Sequence, residues 1–333
     1  MKSNGTRSIN TIVDKYLRKY LMMDEVTEVC YNGDGVLHVL NNNGWSMHQT
    51  DLTYDSVYGL AQAIAAFTSS EFDEGKPLLG AYLPTEERIQ FVMPPATATG
   101  IIAFSIRVPS RIQIPHKRFV EEGLYKNLKS TNSKLTNDEV LTNLYKEKDY
   151  ETFIQLAVKN KKTIVISGAT GSGKTTYMKS IIDFIPKEER LISIEDVDEI
   201  KFYKHKNTVK LYYPEGANTG DGLTSSTLLK SCLRMKPDRI LLAEVRGSET
   251  FDFINVISSG HQGSITSCHA GNIDETFSRL VNMILENPKG QKIPYEIIEK
   301  MLKSLIDVVL HIEFDSITGE RYITELYYKG ASK

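Results

Sequence analysis

The run Gly168-Ala169-Thr170-Gly171-Ser172-Gly173-Lys174-Thr175 constrains this chain more than any other stretch. It follows the β-branched apolar segment Thr163-Ile164-Val165-Ile166 and precedes Thr176–Phe184, which reads as a helix. The pattern G-x-x-x-x-G-K-[ST] therefore stands in the context it requires, a buried strand before and a helix after. Gly168, Gly171 and Gly173 permit backbone angles closed to other residues, so successive N–H groups can turn inward toward phosphate oxygens. The helix that follows presents its positive end to the same anion. Ala169, Thr170, Ser172 and Thr176 complete the expected cradle. Lys174 is expected to reach the β- and γ-phosphates of a nucleoside triphosphate, and the Thr175 hydroxyl to ligate Mg²⁺. With ordinary residue frequencies a chance match arises about once in a hundred chains of this length. The competing reading, a Gly-rich turn with an incidental lysine, is weak.

A phosphate site needs a sheet to carry it, and 333 residues are too many for one ordinary core, so two domains are expected. The formal net charge of −2 argues against a protein that coats nucleic acid, though not against a local DNA-contacting loop. Cys30, Cys232 and Cys268 are far apart and form no C-x-x-C pair, so neither a disulfide scaffold nor a zinc ribbon is expected. The N-terminus lacks the apolar core and cleavage site of a signal peptide, and no run of about eighteen apolar residues occurs. A cytoplasmic setting is the expectation, with any membrane contact peripheral.

Ile9, Ile12, Val13, Tyr16, Leu17, Tyr20 and Leu21 recur at helical spacing, with Lys15, Arg18 and Lys19 on the other side. This reads as a helix packed on its own domain; contact of the basic face with an anionic membrane is the second reading. From Thr27 to Gln49 short apolar stretches are separated by Asn32-Gly33-Asp34-Gly35 and Asn41-Asn42-Asn43-Gly44, which mark a meander. A helix bearing Val57, Leu60, Ala61, Ile64 and Phe67 follows, then strands over 79–83, 88–93 and 101–108. The expected organisation is an N-terminal α+β domain over residues 1–120, its last strand-bearing part ending near Pro115. A polar linker over 121–150 enters a helix near Asn137, and an α/β domain over 151–333 has strands alternating with helices around a largely parallel sheet.

Two acidic clusters follow strand-like runs, where their carboxylates emerge beside the phosphate loop. The first is Glu195-Asp196 with Glu199 just beyond; the second is Glu244, which closes Arg239-Ile240-Leu241-Leu242-Ala243. Ala243 stands where an aspartate commonly precedes the glutamate, so either Mg²⁺ is held more loosely or the 195–199 cluster, with Asp196 and Glu199 as the metal candidates, supplies the missing carboxylate. Glu244 is the candidate to orient or activate the attacking water, with Glu195 as a second catalytic candidate. A lone Glu after an apolar run is ordinarily a solvated strand end; the loop upstream reverses that preference. His261 and His269 flank another short apolar strand, and neither has metal-ligand spacing to other His or Cys residues. His269 is placed to sense the γ-phosphate or to hydrogen-bond Glu244.

Together these segments resemble the secretion-ATPase superfamily, whose members carry a Walker A box, an Asp box, a Walker B box and a His box in that order. The matching stretches are Gly168–Thr175, Glu195–Glu199, Arg234–Glu244 with Arg246, and Gly260–His269. Leu233-Arg234-Met235-Lys236-Pro237-Asp238-Arg239-Ile240 and Glu244-Val245-Arg246 are the most specific parts. The chain departs from the family pattern at Ala243, where many members have Gly, and at Cys268, where a larger apolar residue is common. A compact N-terminal domain and the lack of a four-cysteine motif make it most similar to the hexameric traffic ATPases of bacterial type IV secretion. The resemblance extends into Glu87-Arg88-Ile89-Gln90 and Phe104-Ser105-Ile106-Arg107-Val108-Pro109-Ser110, and implies that Arg88 and Arg107 contact the nucleotide phosphates.

The resemblance implies a RecA-like P-loop NTPase motor domain behind a smaller N-terminal α+β domain, with ATP and Mg²⁺ as its nucleotide and metal. It implies a homo-hexamer working with other type IV secretion ATPases and inner-membrane channel subunits, peripheral at the cytoplasmic face of the inner membrane. Nucleic acid is not expected as a direct high-affinity ligand. ATP is expected between each N-terminal domain and its motor domain, since phosphate-binding candidates fall in both. A nucleic-acid translocase, a pilus-retraction motor and a nucleotide-binding scaffold are the alternatives.

Overall fold

The glycines of the two Asn-rich turns take up the left-handed backbone that such turns demand, Gly33 at φ +86°, Gly35 at +75° and Gly44 at +102°. The structure, a computed structural model describing residues 2–109, 117, 121, 137–214 and 222–332, accordingly pairs β1 (Glu28–Tyr31), β2 (Val36–Asn41) and β3 (Gly44–Gln49) in antiparallel register. With β4 (Leu78–Tyr82), β5 (Arg88–Val92) and β6 (Ala103–Arg107) they form an antiparallel sheet of order β3-β2-β1-β6-β5-β4. The N-terminal helix runs from α1 (Lys2–Ile12) through a π turn (Val13–Leu17) into α2 (Arg18–Leu21). It buries Ile9, Val13, Leu17 and Leu21 against α3 (Tyr54–Phe67) and the sheet, and leaves Lys15 and Lys19 exposed. The expected boundary near Pro115 and residues 122–136 of the linker expected over 121–150 lie outside the described residues.

The second sheet has seven strands in the order β13-β12-β7-β11-β10-β8-β9. Here β7 is Ile164–Gly168, β8 Leu191–Glu195, β9 Thr208–Tyr212, β10 Arg239–Leu242, β11 Ile265–Cys268, β12 Val308–Phe314 and β13 Arg321–Tyr328. Strands β12 through β9 pair in parallel, and β13 closes the edge antiparallel to β12. β7, β8, β10 and β11 are buried at every position, which explains why their sequences read as unbroken apolar or small-residue runs. Helices α4 (Asn137–Glu147), α5 (Tyr150–Lys159) and α6 (Lys174–Ile182) pack with one set of core residues. α7 (Ser225–Cys232), α8 (Glu249–Ser258), α9 (Ile273–Leu285) and α10 (Tyr295–Leu305) pack with the other. From Asn137 onward the stretch expected as linker is part of this packing, since the Tyr145 hydroxyl donates to Leu326 O at 2.8 Å.

The two sheets meet on the 233–238 segment. Val92 and Ala103 of the N-terminal sheet, with Ala96 from the turn between β5 and β6, join the apolar core that holds residues of β8 and β10, and Tyr212 N donates to Ala96 O at 2.9 Å. Arg190 is fully buried at the junction and donates to Met235 O (2.9 Å), Asn32 Oδ1 (2.8 Å), Ser105 Oγ (3.3 Å) and Asn207 Oδ1. Truncating it strands several buried acceptors, each costing about 1–3 kcal/mol. Arg190→Ala is therefore expected to lower unfolding stability by about 3 kcal/mol or more, read from urea midpoints; a midpoint equal to the native one would refute this role.

Candidate active site

The sequence supplies no capping side chain at the start of α6, although α3, α5, α7 and α9 are capped by Thr53, Asp149, Thr224 and Asn272. The N-cap of α6 is Gly173 in the left-handed region at φ +98°, so its first N–H groups face a concavity rather than a side-chain oxygen. Gly168 is required by close approach: a Cβ there would stand 2.3 Å from Ile312 O on β12 and 2.6 Å from Ser172 Oγ. The chain thus leaves β7, doubles over the sheet edge and enters α6 with its donors exposed, which is an anion-binding geometry.

This loop forms one wall of a cleft of about 990 Å³. Thr170, Gly171, Gly173, Lys174, Thr175 and Thr176 line it from the loop side, and Asp196, Glu199, Glu244 and His269 from the ends of β8, β10 and β11. Gly168, Ala169 and Ser172 form the back of the loop. Ser172 is buried with its hydroxyl unpartnered, and Gly168 and Ala169 turn their carbonyls to Lys174. Lys174 is only 7% exposed and donates to Gly168 O (2.9 Å), Ala169 O (2.9 Å) and His269 Nδ1 (3.1 Å). Burial holds its pKa below the usual lysine value, against the pull of Glu244.

An ammonium has no acceptor, so His269 Nδ1 must accept and the imidazole proton sits on Nε2. That nitrogen lies 2.8 Å from Glu244 Oε1, while Arg246 Nε donates to Glu244 Oε2 at 2.8 Å. Arg246 Nη1 also reaches Asp196 Oδ2 at 2.7 Å. Burial works against the Arg246 cation, but Glu244 and Asp196 outweigh it and raise its pKa. Glu244 is therefore held by the Arg246 cation on Oε2, while its buried Oε1 makes no hydrogen bond and stands 2.8 Å from the imidazole, with Lys174 on the far side of that imidazole.

Three expected residues are placed differently. Glu195 is fully buried and does not line the cleft. Its Oε2 accepts from Glu199 N (2.9 Å) and Ile200 N (2.6 Å), and its Oε1 from Ser193 Oγ (2.7 Å). Both oxygens are occupied in shaping the turn that presents Asp196 and Glu199. Arg88 and Arg107 face each other across β5 and β6 and line a separate cleft of about 170 Å³ with Glu28, Arg234 and Lys236. The structure does not bring them to the phosphate loop of their own chain. In that smaller cleft burial pushes Glu28 up to about 7, opposed by Arg107, Lys236, Arg190 and Arg88. Cys268 is a buried β11 core residue whose thiol burial pushes up to about 12, so it is not a nucleophile.

Sequence reasoning missed Arg321, which lines the loop's cleft from the start of β13. Its side chain lies over the loop, 3.0 Å from where a Gly173 Cβ would stand, and its guanidinium covers the Phe314 ring at 4.4 Å. No motif marks it. Its only local signal is the Gly319 turn that starts the returning strand.

The family model described as "Type II/IV secretion system protein" matches residues 61–313. The chain is 42% identical over 322 residues to the type IV secretion system protein VirB11 of Brucella abortus biovar 1, covering 95% of this chain and 89% of that protein. It is 36% identical over 316 residues to the type IV secretion system protein PtlH of Bordetella pertussis, covering 94% and 93%. Among solved structures, the VirB11 ATPase of the Brucella suis type IV secretion system, crystallised with sulphate, superposes with a TM-score of 0.92. That match has 40% identity and covers 99% of this chain and 98% of that one. By its sequence and its fold, this chain belongs to the type II/IV secretion system protein family.

Proposed function

We propose that this chain is an ATP-hydrolysing motor of a bacterial type IV secretion system. The observation that carries this reading is the convergence on one cleft of an uncapped helix start, Lys174 and the Glu244–His269–Arg246 cluster. An entering triphosphate competes with Gly168 O and Ala169 O for the hydrogens of Lys174, and its charge favours the exchange. Phosphate contact at Lys174 then alters what His269 Nδ1 accepts, and His269 in turn faces Glu244, which links occupancy of the loop to the residue that orients water. The hard oxygens of Thr175, Asp196 and Glu199 suit Mg²⁺, which commonly binds through one or two carboxylates plus phosphate oxygens. When bound, the ion neutralises charge on the β- and γ-phosphates. No group of three His, Cys, Asp or Glu among the described residues forms a dedicated cage, and an ion that arrives with its phosphates needs none.

Arg88 and Arg107 serve, in this reading, the nucleotide of a neighbouring copy in a homo-hexameric ring. They lie away from their own chain's loop, on a sheet that Arg190 fastens to the motor. Nucleotide then draws adjacent subunits together, and phosphate loss lets them part. No helix among the described residues is long and apolar enough to cross a membrane; in this reading the ring works as a peripheral partner of the secretion channel. A steady-state ATPase assay with mixed subunits tests this. Arg107→Ala and Lys174→Ala chains are each expected to be inactive alone and to regain turnover when mixed, because mixed boundaries restore complete sites. A mixture that stays inactive while each variant still assembles refutes the shared site.

A further inference from the structure

Two rows of side chains cross the motor-facing side of the N-terminal sheet. In the inner row Cys30, Ser105, Gln90 and Gly80 stand opposite one another on β1, β6, β5 and β4. Ser105 Oγ accepts from Arg190 Nη2, and a Cβ at Gly80 would strike the Arg234 guanidinium, so this row meets the motor domain. Side chains two positions apart on a strand share a face, which puts Glu28, Arg107 and Arg88 in the next row on the same side. Directly opposed Cβ atoms stand about 4.5–5.5 Å apart, so Glu28 neighbours Arg107, and Arg107 neighbours Arg88.

These three residues share the cleft of about 170 Å³ with Arg234 and Lys236 of the motor domain. Lys236 lines it from a left-handed backbone at φ +54°, a strained conformation for a residue with a side chain. Glu28 is the one acidic residue among those lining the cleft, set against four cations. Arg88 and Arg107 are exposed, whereas Glu28 is only 4% exposed and its Oε2 is buried without a hydrogen bond. An ionised carboxylate in that position is costly, and the cations around it are its compensation. Burial pushes the Glu28 carboxyl up to about 7, against the pull of Arg107, Lys236, Arg190 and Arg88. Its titratable neighbour on β1, Cys30, is a fully buried thiol whose pKa burial raises.

We propose that Glu28 is the resting counter-charge of the Arg88–Arg107 pair, a positioning residue that takes up a proton from solvent when a nucleotide phosphate reaches those arginines. This inference rests on the reading that the pair serves a neighbouring copy's nucleotide, and the test separates the two. Phosphate brings like charge toward the carboxylate and replaces it as partner of the cations; the proton adds to a Glu28 oxygen, and no other bond forms or breaks. Above pH 7 the carboxylate is charged and opposes the phosphate, whereas below pH 7 it is already neutral and the opposition is gone.

Calorimetric titration of the assembled full-length protein with Mg²⁺ and a non-hydrolysable ATP analogue, at pH 8 in buffers of different ionisation enthalpy, counts the protons taken up. The native protein is expected to take up about half a proton or more per nucleotide beyond Glu28→Gln. Glu28→Gln, which has the shape of the protonated acid, is expected to bind the analogue about fivefold or more tightly than the native protein at pH 8 and to match it near pH 6. Glu28→Asp keeps a titrating carboxylate and is expected to keep the uptake, which a purely structural role would not restore; thermal melts check the folding of both variants. Equal uptake by the native protein and Glu28→Gln overturns the proposal, as does weaker binding by Glu28→Gln at pH 8. A native protein with no uptake at pH 8 overturns it without recourse to either variant. Native affinity in Arg107→Ala instead defeats the reading of the arginines, and this proposal with it.

Discussion

Glu244→Gln is expected to bind Mg·ATP at close to native affinity and to hydrolyse it about 10²–10⁴ times more slowly, the range general-base and water-positioning groups contribute. The substitution keeps the shape and the acceptor that faces His269 Nε2, 2.8 Å away in the native chain. It removes the carboxylate charge that Arg246 Nε contacts at 2.8 Å and that water needs for deprotonation or alignment. Neither loss touches the loop N–H groups, so binding survives. Single-turnover hydrolysis beside an equilibrium binding curve separates the two quantities. Native turnover in the variant removes Glu244 from the chemistry and passes the role to Asp196 or Glu199, the other carboxylates in the cleft.

Lys174→Ala is expected to fail earlier, at binding. The ammonium is the loop's own cation, almost enclosed, and it is held by Gly168 O, Ala169 O and His269 Nδ1. Its loss deletes the charge opposite the β- and γ-phosphates and frees the imidazole that faces Glu244. Groups that stabilise charge on a transferring phosphoryl are worth about 10³–10⁵ in rate, so residual turnover is expected at background. Lys174→Arg is not a rescue, because a planar guanidinium cannot place its donors where the two carbonyls and the imidazole converge. The stability of the fold is expected to change little, since a lysine with a lowered pKa gains nothing from its burial. A variant that still binds ATP at native affinity contradicts the assigned role.

The loop and its flanking elements were legible because local chemistry dictates them. Glycines with forced backbone angles, a β-branched strand and a helix start leave few other conformations. The parallel sheet followed from the same apolar runs, and the N-terminal meander from its Asn-Gly turns. What stayed hidden depends on contacts distant in sequence. Glu195 sits in the same acidic cluster as Asp196, and only the fold shows that the Glu199 and Ile200 amides consume its carboxylate. Arg88 and Arg107 carry a family pattern, yet their position relative to the loop depends on how the two sheets dock, which Arg190, Asn32 and Ser105 decide. Arg321 lies on a hairpin strand without a motif, and only the antiparallel return of β13 along β12 brings it to the cleft.

Calorimetric titration of the full-length protein with Mg²⁺ and a non-hydrolysable ATP analogue tests the central claim most directly. Saturable binding that Lys174→Ala abolishes and Glu244→Gln preserves is the predicted result; a native protein that releases no heat of binding, or a Lys174→Ala variant that binds like the native one, contradicts it.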